Sequence, residues 1–254
     1  MAVALEVDEG GLAEVRLERP ERGNAFDLEL TREFNARLLE CEQRDDVRAV
    51  LICGSGRTFC VGGDLGYMRA AGREAGTALR VLADEMHRAV RCLARMPKPV
   101  IAAAHGAVAG VGLSLVCAAD LALASEDASF LLAYTAVGLS PDGGCSWLLP
   151  RIVGPRAAAE MTLANRRVAA AEAAQLGLLS RVVSADSLRE ESRALGAKLG
   201  AAPPRATAMA ALLLRRSAAS SLDEQLELEA ESISQLAAGA EAREAIEAFF
   251  ARSG

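Results

Sequence analysis

One long uncharged segment near the middle of the chain most constrains the fold. Residues 99–119 contain no Asp, Glu, Lys or Arg, and only His105 could carry a charge there. The segment is long enough to span a membrane, and Gly106 and Gly110 stand at a G-x-x-x-G packing spacing. It contains three glycines, however, and no aromatic residue marks either end. We therefore predict a buried strand, a glycine turn and a buried helix rather than a membrane span.

Short apolar runs alternate with helical patterns over most of the chain. Strands are predicted at residues 12–17, 49–53, 100–104 and 120–124, and helices at residues 79–96, 112–118, 155–163 and 170–176, with Asp27 as the N-cap of an earlier helix. This alternation predicts an α/β fold with a largely parallel sheet. From residue 186 onward only helical patterns remain, interrupted at two prolines. We expect an α/β core over residues 1–195 and a helical region over residues 196–254.

Composition narrows the classes of function. The chain has 254 residues, of which 52% are hydrophobic and 24% charged, enough to build a sizeable core. Twenty-eight Lys and Arg against 34 Asp and Glu give a net charge of −6, which argues against a nucleic-acid partner. The six cysteines form no C-x-x-C pair, and the amino terminus has no basic segment before an apolar run. We expect a cytoplasmic protein with no metal site, no disulfide framework and no membrane partner.

Two glycine turns are the first candidate functional features. Residues 59–65 (FCVGGDL) follow one predicted strand, and residues 106–112 (GAVAGVG) lie between a strand and a helix. The second turn lacks the spacing of a dinucleotide fingerprint, and the residues around Ser114 lack the second glycine of a nucleophile elbow. Free backbone N–H groups at such turns favour negative charge, so two facing turns could bind one oxyanion. Glycines also make ordinary tight turns, and the spacing alone leaves that interpretation open.

The third candidate feature is the loop at residues 134–144 (YTAVGLSPDGG). Asp142 follows a proline and precedes two glycines, as an aspartate that bonds its own turn would. A carboxylate on a loop beside an apolar pocket could instead serve as a base or a nucleophile.

Taken in order, these motifs resemble the enoyl-CoA hydratase/isomerase (crotonase) superfamily. The resemblance rests on residues 19–25 (RPERGNA), 59–65, 98–112 (KPVIAAAHGAVAGVG) and 138–144 (GLSPDGG), and it covers about residues 5–250. It implies a crotonase-like spiral of ββα units with a C-terminal helical trimerisation region, assembled as a homotrimer or homohexamer. It also implies an acyl-CoA thioester as substrate, with coenzyme A carried as part of that substrate and no separate cofactor.

The resemblance assigns roles to individual positions. The backbone N–H groups of Gly63 and Val111 match the oxyanion donors, and Asp142 matches the single catalytic aspartate of the isomerases in this family. Ser114 and Tyr134 stand where hydratases carry their two glutamates, so hydration by a glutamate pair is not expected. The further positions that it places at the substrate are Arg22, Ala25, Cys60, Asp64, Leu65, His87 and Pro141, together with Ser114 and Tyr134. Of these, Asp64 is expected to act as a turn or helix-cap residue.

Several activities remain open at this point, and an enoyl-CoA isomerase that uses Asp142 as acid and base is favoured. Asp142 also matches the nucleophile of 4-chlorobenzoyl-CoA dehalogenases, in which His87 and Tyr134 would align with functional positions. Bulky aromatics expected there are replaced by Gly63, Leu79 and Met86. A specialised hydratase, with Asp142 positioning a water, and a non-catalytic acyl-CoA binder stay open as well. Among the remaining aromatic residues, we expect Trp147 in the core and Phe249 and Phe250 in helix packing.

Overall fold

A six-stranded sheet lies at the centre of the computed structural model, which describes residues 2–253 of the chain. Its strands are β1 (Val3–Val7), β2 (Leu12–Leu17), β3 (Ala49–Gly54), β4 (Val100–Ala104), β6 (Leu121–Ser125) and β9 (Arg181–Val183), in the order 1-2-3-4-6-9. Within the described residues, β1 is the only strand of this sheet that runs antiparallel to its neighbour. A smaller sheet contains β5 (Ala107–Ala109), β7 (Ser129–Leu131) and β8 (Val168–Ala169). The predicted α/β class with a largely parallel sheet is confirmed.

Helices cover the sheet and continue alone after β9. They are α1 (Leu28–Gln43), α2 (Leu65–Ala70), α3 (Ala75–Arg95), α4 (Val111–Ala118), α5 (Cys145–Val153), α6 (Pro155–Leu163), α7 (Ala170–Gln175), α8 (Leu188–Gly200), α9 (Pro204–Ser217), α10 (Leu222–Ala237) and α11 (Ala240–Ser253). The predicted N-cap of α1 is confirmed, since the Asp27 side chain accepts the N–H of Leu30 at 2.9 Å. The predicted break at the two prolines is confirmed as well, because α9 starts at Pro204.

The uncharged segment folds as strand, turn, short strand and helix. It supplies β4, β5 and α4, and every residue of β4 is buried. The prediction of a buried strand, a glycine turn and a buried helix is therefore confirmed. Among residues 2–253, no helix has both the length and the apolar character that crossing a membrane requires.

The central sheet divides the core into two layers because successive strand residues face opposite sides. One face carries Val50 and Ile52 and packs against the layer that includes α1, α3 and α4. The other face carries Leu51 and Ile101 and packs against Leu188 of α8. The predicted domain boundary at residue 195 falls inside this helix. The division into a core and a C-terminal region stays a prediction, and its end residues 1 and 254 lie outside the described part of the chain.

An arginine in α9 ties the C-terminal helices to the core. The Arg215 guanidinium contacts the Asp120 carboxylate at the start of β6 and donates to the carbonyl oxygens of Met96 and Lys98 before β4. The ends of two central strands are thereby fixed to the helical region.

Three aromatic residues are exposed in the structure. Trp147 is 43% exposed, and Arg151 stacks over its ring at 3.9 Å, so the core prediction is wrong. Phe249 and Phe250 are each 67% exposed and contact each other edge to face. Their predicted helix packing stays a prediction, because most of each ring is exposed in one chain.

Candidate active site

The two glycine turns lie side by side in the structure. The N–H of Ala109 donates to the carbonyl of Cys60 at 2.9 Å and links the two segments. Gly62 and Gly110 have φ angles of +106° and +51°, values that favour glycine. A Cβ atom placed on Gly110 would come within 3.3 Å of the Gly62 Cα. Glycine at both positions therefore lets the two backbones meet.

Each turn presents one backbone N–H beside this contact. Val111 is the first residue of α4, so its N–H lacks an intrahelical acceptor. Phe26 bonds the carbonyl of Gly62 and the N–H of Asp64, both at 2.8 Å, and leaves the N–H of Gly63 unused by this pairing. Within residues 2–253, neither donor has a hydrogen-bond acceptor. The pair has the character of an oxyanion hole, in which N–H dipoles stabilise developing negative charge.

Gly63 and Val111 open onto a cavity of about 110 Å³ that is mostly apolar. Leu65, Tyr134 and Asp142 also line it, so five of the predicted site residues come together here. Much of the remaining wall was not predicted from the sequence and consists of Phe26, Met68, Leu82, Leu132, Val137 and Leu139. Part of this wall was visible in the helical spacing of Leu79, Leu82 and Met86 on α3.

Asp142 is held by its neighbours from two sides. The Tyr134 hydroxyl donates to Oδ1 of Asp142 at 2.5 Å. The Ser114 hydroxyl donates to the Asp142 backbone carbonyl at 3.3 Å, and the N–H of Cys145 donates to the same oxygen at 3.2 Å. A Cβ on Gly143 would lie 3.0 Å from the Ser114 Oγ, so the loop packs tightly over α4. These contacts direct the half-buried carboxylate towards the cavity.

The Tyr134 phenol is a dependable hydrogen-bond donor. Burial raises the pKa of Tyr134, and the negative charge of Asp142 raises it further, because both disfavour the phenolate. The phenol therefore stays protonated at neutral pH, and its O–H donates a hydrogen bond to the Asp142 carboxylate. Tyr134 was predicted to lie at the substrate, but its hydrogen bond to Asp142 was not predicted.

Three of the predicted substrate-binding residues lie behind the cavity wall or in its supporting loop. Cys60 is fully buried beneath the first turn, where its sulfur accepts the N–H of Gly62 at 3.4 Å. Burial raises the pKa of Cys60 to about 12, which leaves the thiol protonated and unreactive. Ser114 is buried behind the Asp142 loop, and Pro141 is half-buried within it. All three support the loops that form the site.

A second depression adjoins the cavity and shares Gly63 and Leu65 with it. Arg22, Ala25 and Asp64 also line it. Asp64 caps α2 by accepting the N–H of Tyr67 at 3.1 Å, as expected for a cap, and pairs with Arg22 at 2.9 Å.

The pKa of Asp64 reflects these contacts. Burial alone would raise it, but the hydrogen bonds from the Tyr67 N–H and from Arg22 outweigh burial and lower the pKa. Arg22, predicted to contact the substrate, therefore lies in the depression beside the cavity, where its ion pair with Asp64 connects it to the first glycine turn.

His87 is the predicted residue that lies neither in the cavity wall nor in the adjoining depression and has no role in the loops around them. It lies half-buried on α3, one position after Met86, and is not part of the cavity wall. In the described part of the chain no group of three or more His, Cys, Asp or Glu is arranged to hold a metal ion.

Two backbone donors and a carboxylate around an apolar cavity are features expected of an enzyme that stabilises an oxyanion while a proton or a nucleophile acts beside it. Residues 8–253 match the family model described as enoyl-CoA hydratase/isomerase. The chain belongs to this family and is a crotonase-type acyl-CoA enzyme.

Individual relatives agree with this assignment over nearly the whole chain. It is 37% identical to a probable enoyl-CoA hydratase of Rhodobacter capsulatus, over 97% of this chain and 94% of that one. It is 32% identical to the 1,2-epoxyphenylacetyl-CoA isomerase of Escherichia coli, over 96% and 94%. A crystal structure titled putative enoyl-CoA hydratase/isomerase from Mycobacterium abscessus superposes with a TM-score of 0.93 at 34% identity, over 99% and 97%. The expected crotonase-like fold is confirmed.

Proposed function

We propose that this protein is an enoyl-CoA isomerase in which Asp142 is the only acid and base. One observation carries the proposal. Among the described residues that line the cavity beside Gly63 and Val111, Asp142 is the single one with a carboxyl group. One carboxylate is sufficient for a 1,3-proton shift, because the group that removes a proton can return it elsewhere.

The reaction requires a 3-enoyl-CoA with its thioester oxygen at the N–H groups of Gly63 and Val111. Asp142 removes a proton from C2, and the electron pair of that C–H bond moves into a dienolate with negative charge on the thioester oxygen. The two donors stabilise this charge, at about 2.7–4 kcal/mol of barrier for each donor. Protonated Asp142 then returns the proton to C4, and the double bond forms between C2 and C3.

The contacts of Asp142 suit this task. The Tyr134 hydroxyl donates a hydrogen bond to Oδ1 of Asp142, while Oδ2 has no hydrogen-bond partner within residues 2–253. We propose that Oδ2 carries the proton between C2 and C4 and that the Tyr134 bond holds the carboxyl group in one orientation.

The adjoining depression supports an acyl-CoA substrate. Arg22 is mostly exposed there, and its cation would partly offset the phosphate charge of the coenzyme. We propose that Ala25 and Leu65 contact the coenzyme between Arg22 and the cavity. Coenzyme A would enter as part of the substrate, and the proposed chemistry uses no further cofactor.

Hydration and dehalogenation fit the cavity less well. Hydration by two carboxylates lacks its second group, because Ser114 is buried behind the loop and Tyr134 is a protonated phenol. A dehalogenase needs an aromatic cage for its benzoyl ring, whereas Gly63, Leu79 and Met86 line this wall.

The test compares the wild type with Asp142→Asn on a short 3-enoyl-CoA. The wild type is expected to form the conjugated 2-enoyl thioester, followed by absorbance and mass. Asp142→Asn, which keeps the size of the side chain but not the base, should lose about 10²–10⁴-fold in kcat. Asp186→Asn, at an exposed aspartate outside the cavity, is the matched control and should retain activity.

Different products would identify different activities. Formation of a 3-hydroxyacyl-CoA from a 2-enoyl-CoA would favour the hydratase. Halide release from 4-chlorobenzoyl-CoA with an ester on Asp142 would favour the dehalogenase. Tight binding of acyl-CoA with no change of the acyl group would leave a non-catalytic binder. Equal isomerisation by the wild type and Asp142→Asn would contradict the role of Asp142.

A further inference from the structure

One face of α3 forms a long side of the cavity. Leu79, Leu82 and Met86 stand at i, i+3 and i+7, so their side chains project from the same face of the helix. Their exposure falls along the helix: Leu79 is half-buried, Leu82 is 6% exposed and Met86 is 2% exposed. The exposure of the α3 wall therefore falls to its lowest value at Met86, and this part of the wall is the closed end of the α3 face.

Side chains pack closely around the two glycine turns that carry the backbone donors. A Cβ on Gly63 would lie 2.8 Å from the Met68 Cε, so the Met68 side chain covers this turn. Val111 is buried, and its Cγ2 lies 3.2 Å from a Cβ placed on Gly143. The room beside the donors is therefore limited to the cavity itself.

The remaining room is small. The cavity has a volume of about 110 Å³. An apolar cavity of about 150 Å³ in another protein accommodates benzene, a six-carbon ring, so about 110 Å³ has room for fewer than six ring carbons. The wall consists of aliphatic side chains apart from Phe26, Tyr134 and Asp142.

We infer that this site selects short aliphatic acyl groups, with fewer than about six carbons beyond the carbonyl on the benzene scale, and excludes aromatic and long acyl groups. The inference names the substrate class of the proposed isomerase and rests on that function for turnover. The binding preference itself depends only on the shape of the cavity. Met86 is the residue that sets the length limit.

The experiment measures kcat/KM of the wild type on 3-butenoyl-, 3-hexenoyl-, 3-octenoyl- and 3-decenoyl-CoA and on 4-phenyl-3-butenoyl-CoA. One methylene that does not fit an apolar pocket changes kcat/KM by about 10- to 200-fold. We therefore expect 3-hexenoyl-CoA to exceed 3-decenoyl-CoA and the phenyl substrate by at least about tenfold. Equal values across the series would overturn the inference.

Variants of the closed end locate the limit. Met86→Ala should raise the ratio of the 3-decenoyl to the 3-hexenoyl value by about tenfold, because it removes most of the side chain at the end of the cavity. Leu79→Ala, at a half-buried position of the same face, is a second variant for use if Met86→Ala fails to fold. Leu163→Ala, at an exposed leucine of α6, is the matched control and should leave the profile unchanged. An unchanged profile in folded Met86→Ala would contradict the role of Met86.

Binding separates this inference from the proposed activity. Asp142→Asn is titrated calorimetrically with butyryl-, hexanoyl- and decanoyl-CoA, none of which can isomerise. Tighter binding of hexanoyl- than of decanoyl-CoA, with no turnover of 3-enoyl-CoA by the wild type, would reject the isomerase and leave the size limit in place. Turnover with no preference in either assay would reject the size limit and leave the isomerase.

Discussion

The Tyr134 hydroxyl is the side-chain group that fixes the orientation of Asp142. We expect Tyr134→Phe to lower kcat by about 10- to 150-fold with little change in KM, because a hydrogen bond to a charged group contributes about 1.5–3 kcal/mol. Folding should be retained, since the ring that packs in the wall is unchanged. Steady-state kinetics on a short 3-enoyl-CoA measures the effect. Ser217→Ala removes an exposed hydroxyl at the end of α9 and serves as the control.

The pH profile tests the same bond. Since the pKa of Tyr134 is raised, the phenol should keep its proton as the pH passes the ordinary tyrosine value of about 10. Near pH 10, the kcat of the wild type should therefore not fall relative to the kcat of Tyr134→Phe. If Tyr134→Phe matched the wild-type kcat, the carboxylate would not depend on this bond for its orientation.

At the scale of elements, Asp64 joins the first glycine turn to α2 by capping the helix. We expect Asp64→Ala to lower the free energy of unfolding by about 1–2 kcal/mol, because it removes an N-cap. Asp64→Asn should cost less, since asparagine caps equally well but gives up the ion pair with Arg22. Denaturant unfolding of the three proteins at pH 7 measures both differences.

Acid should remove the advantage of Asp64 over asparagine. The pKa of Asp64 is lowered in the folded state, so its contribution is present above the unfolded value of about 3.9 and is lost as the pH falls through the lowered value. The stability gap between the wild type and Asp64→Asn should therefore narrow below about pH 4. A gap that stays constant down to pH 2 would show that the charge on Asp64 does not stabilise the fold.

The same scale shows why some elements were predictable from the sequence. β2, β4 and α6 match their predicted bounds, because each has an apolar pattern that starts directly after, or at, a proline or glycine. The three-residue strands β5 and β7 were missed, since their pairing depends on segments distant in sequence.

In the site, the chain order of the motifs indicated Gly63, Val111 and Asp142. The Tyr134 to Asp142 bond was not predictable, because it requires the 3-10 turn at Thr135–Val137 and the left-handed Gly138 to fold the loop back on itself.

For the whole molecule, the C-terminal helices present an apolar surface that one chain leaves open. Leu222, Leu226 and Ile233 are exposed, and their spacing puts them within about 40° of one another around α10. On α11, Ile246, Phe249 and Phe250 repeat this pattern at i, i+3 and i+4. Contiguous apolar surface of this kind marks protein–protein contacts. We propose that copies of this chain assemble through it as a homotrimer or homohexamer.

Charge placed on this surface should prevent the assembly. The wild type is expected to show three or six times the mass of one chain in light scattering after size exclusion. Leu226→Arg combined with Ile233→Arg should show the mass of one chain, because assembly would bury two unpaired cations. Leu163→Arg charges an exposed leucine of α6, away from α10 and α11, and should keep the wild-type mass. A wild type of single-chain mass would contradict the assembly, whereas loss of mass in Leu163→Arg alone would move the contact to α6.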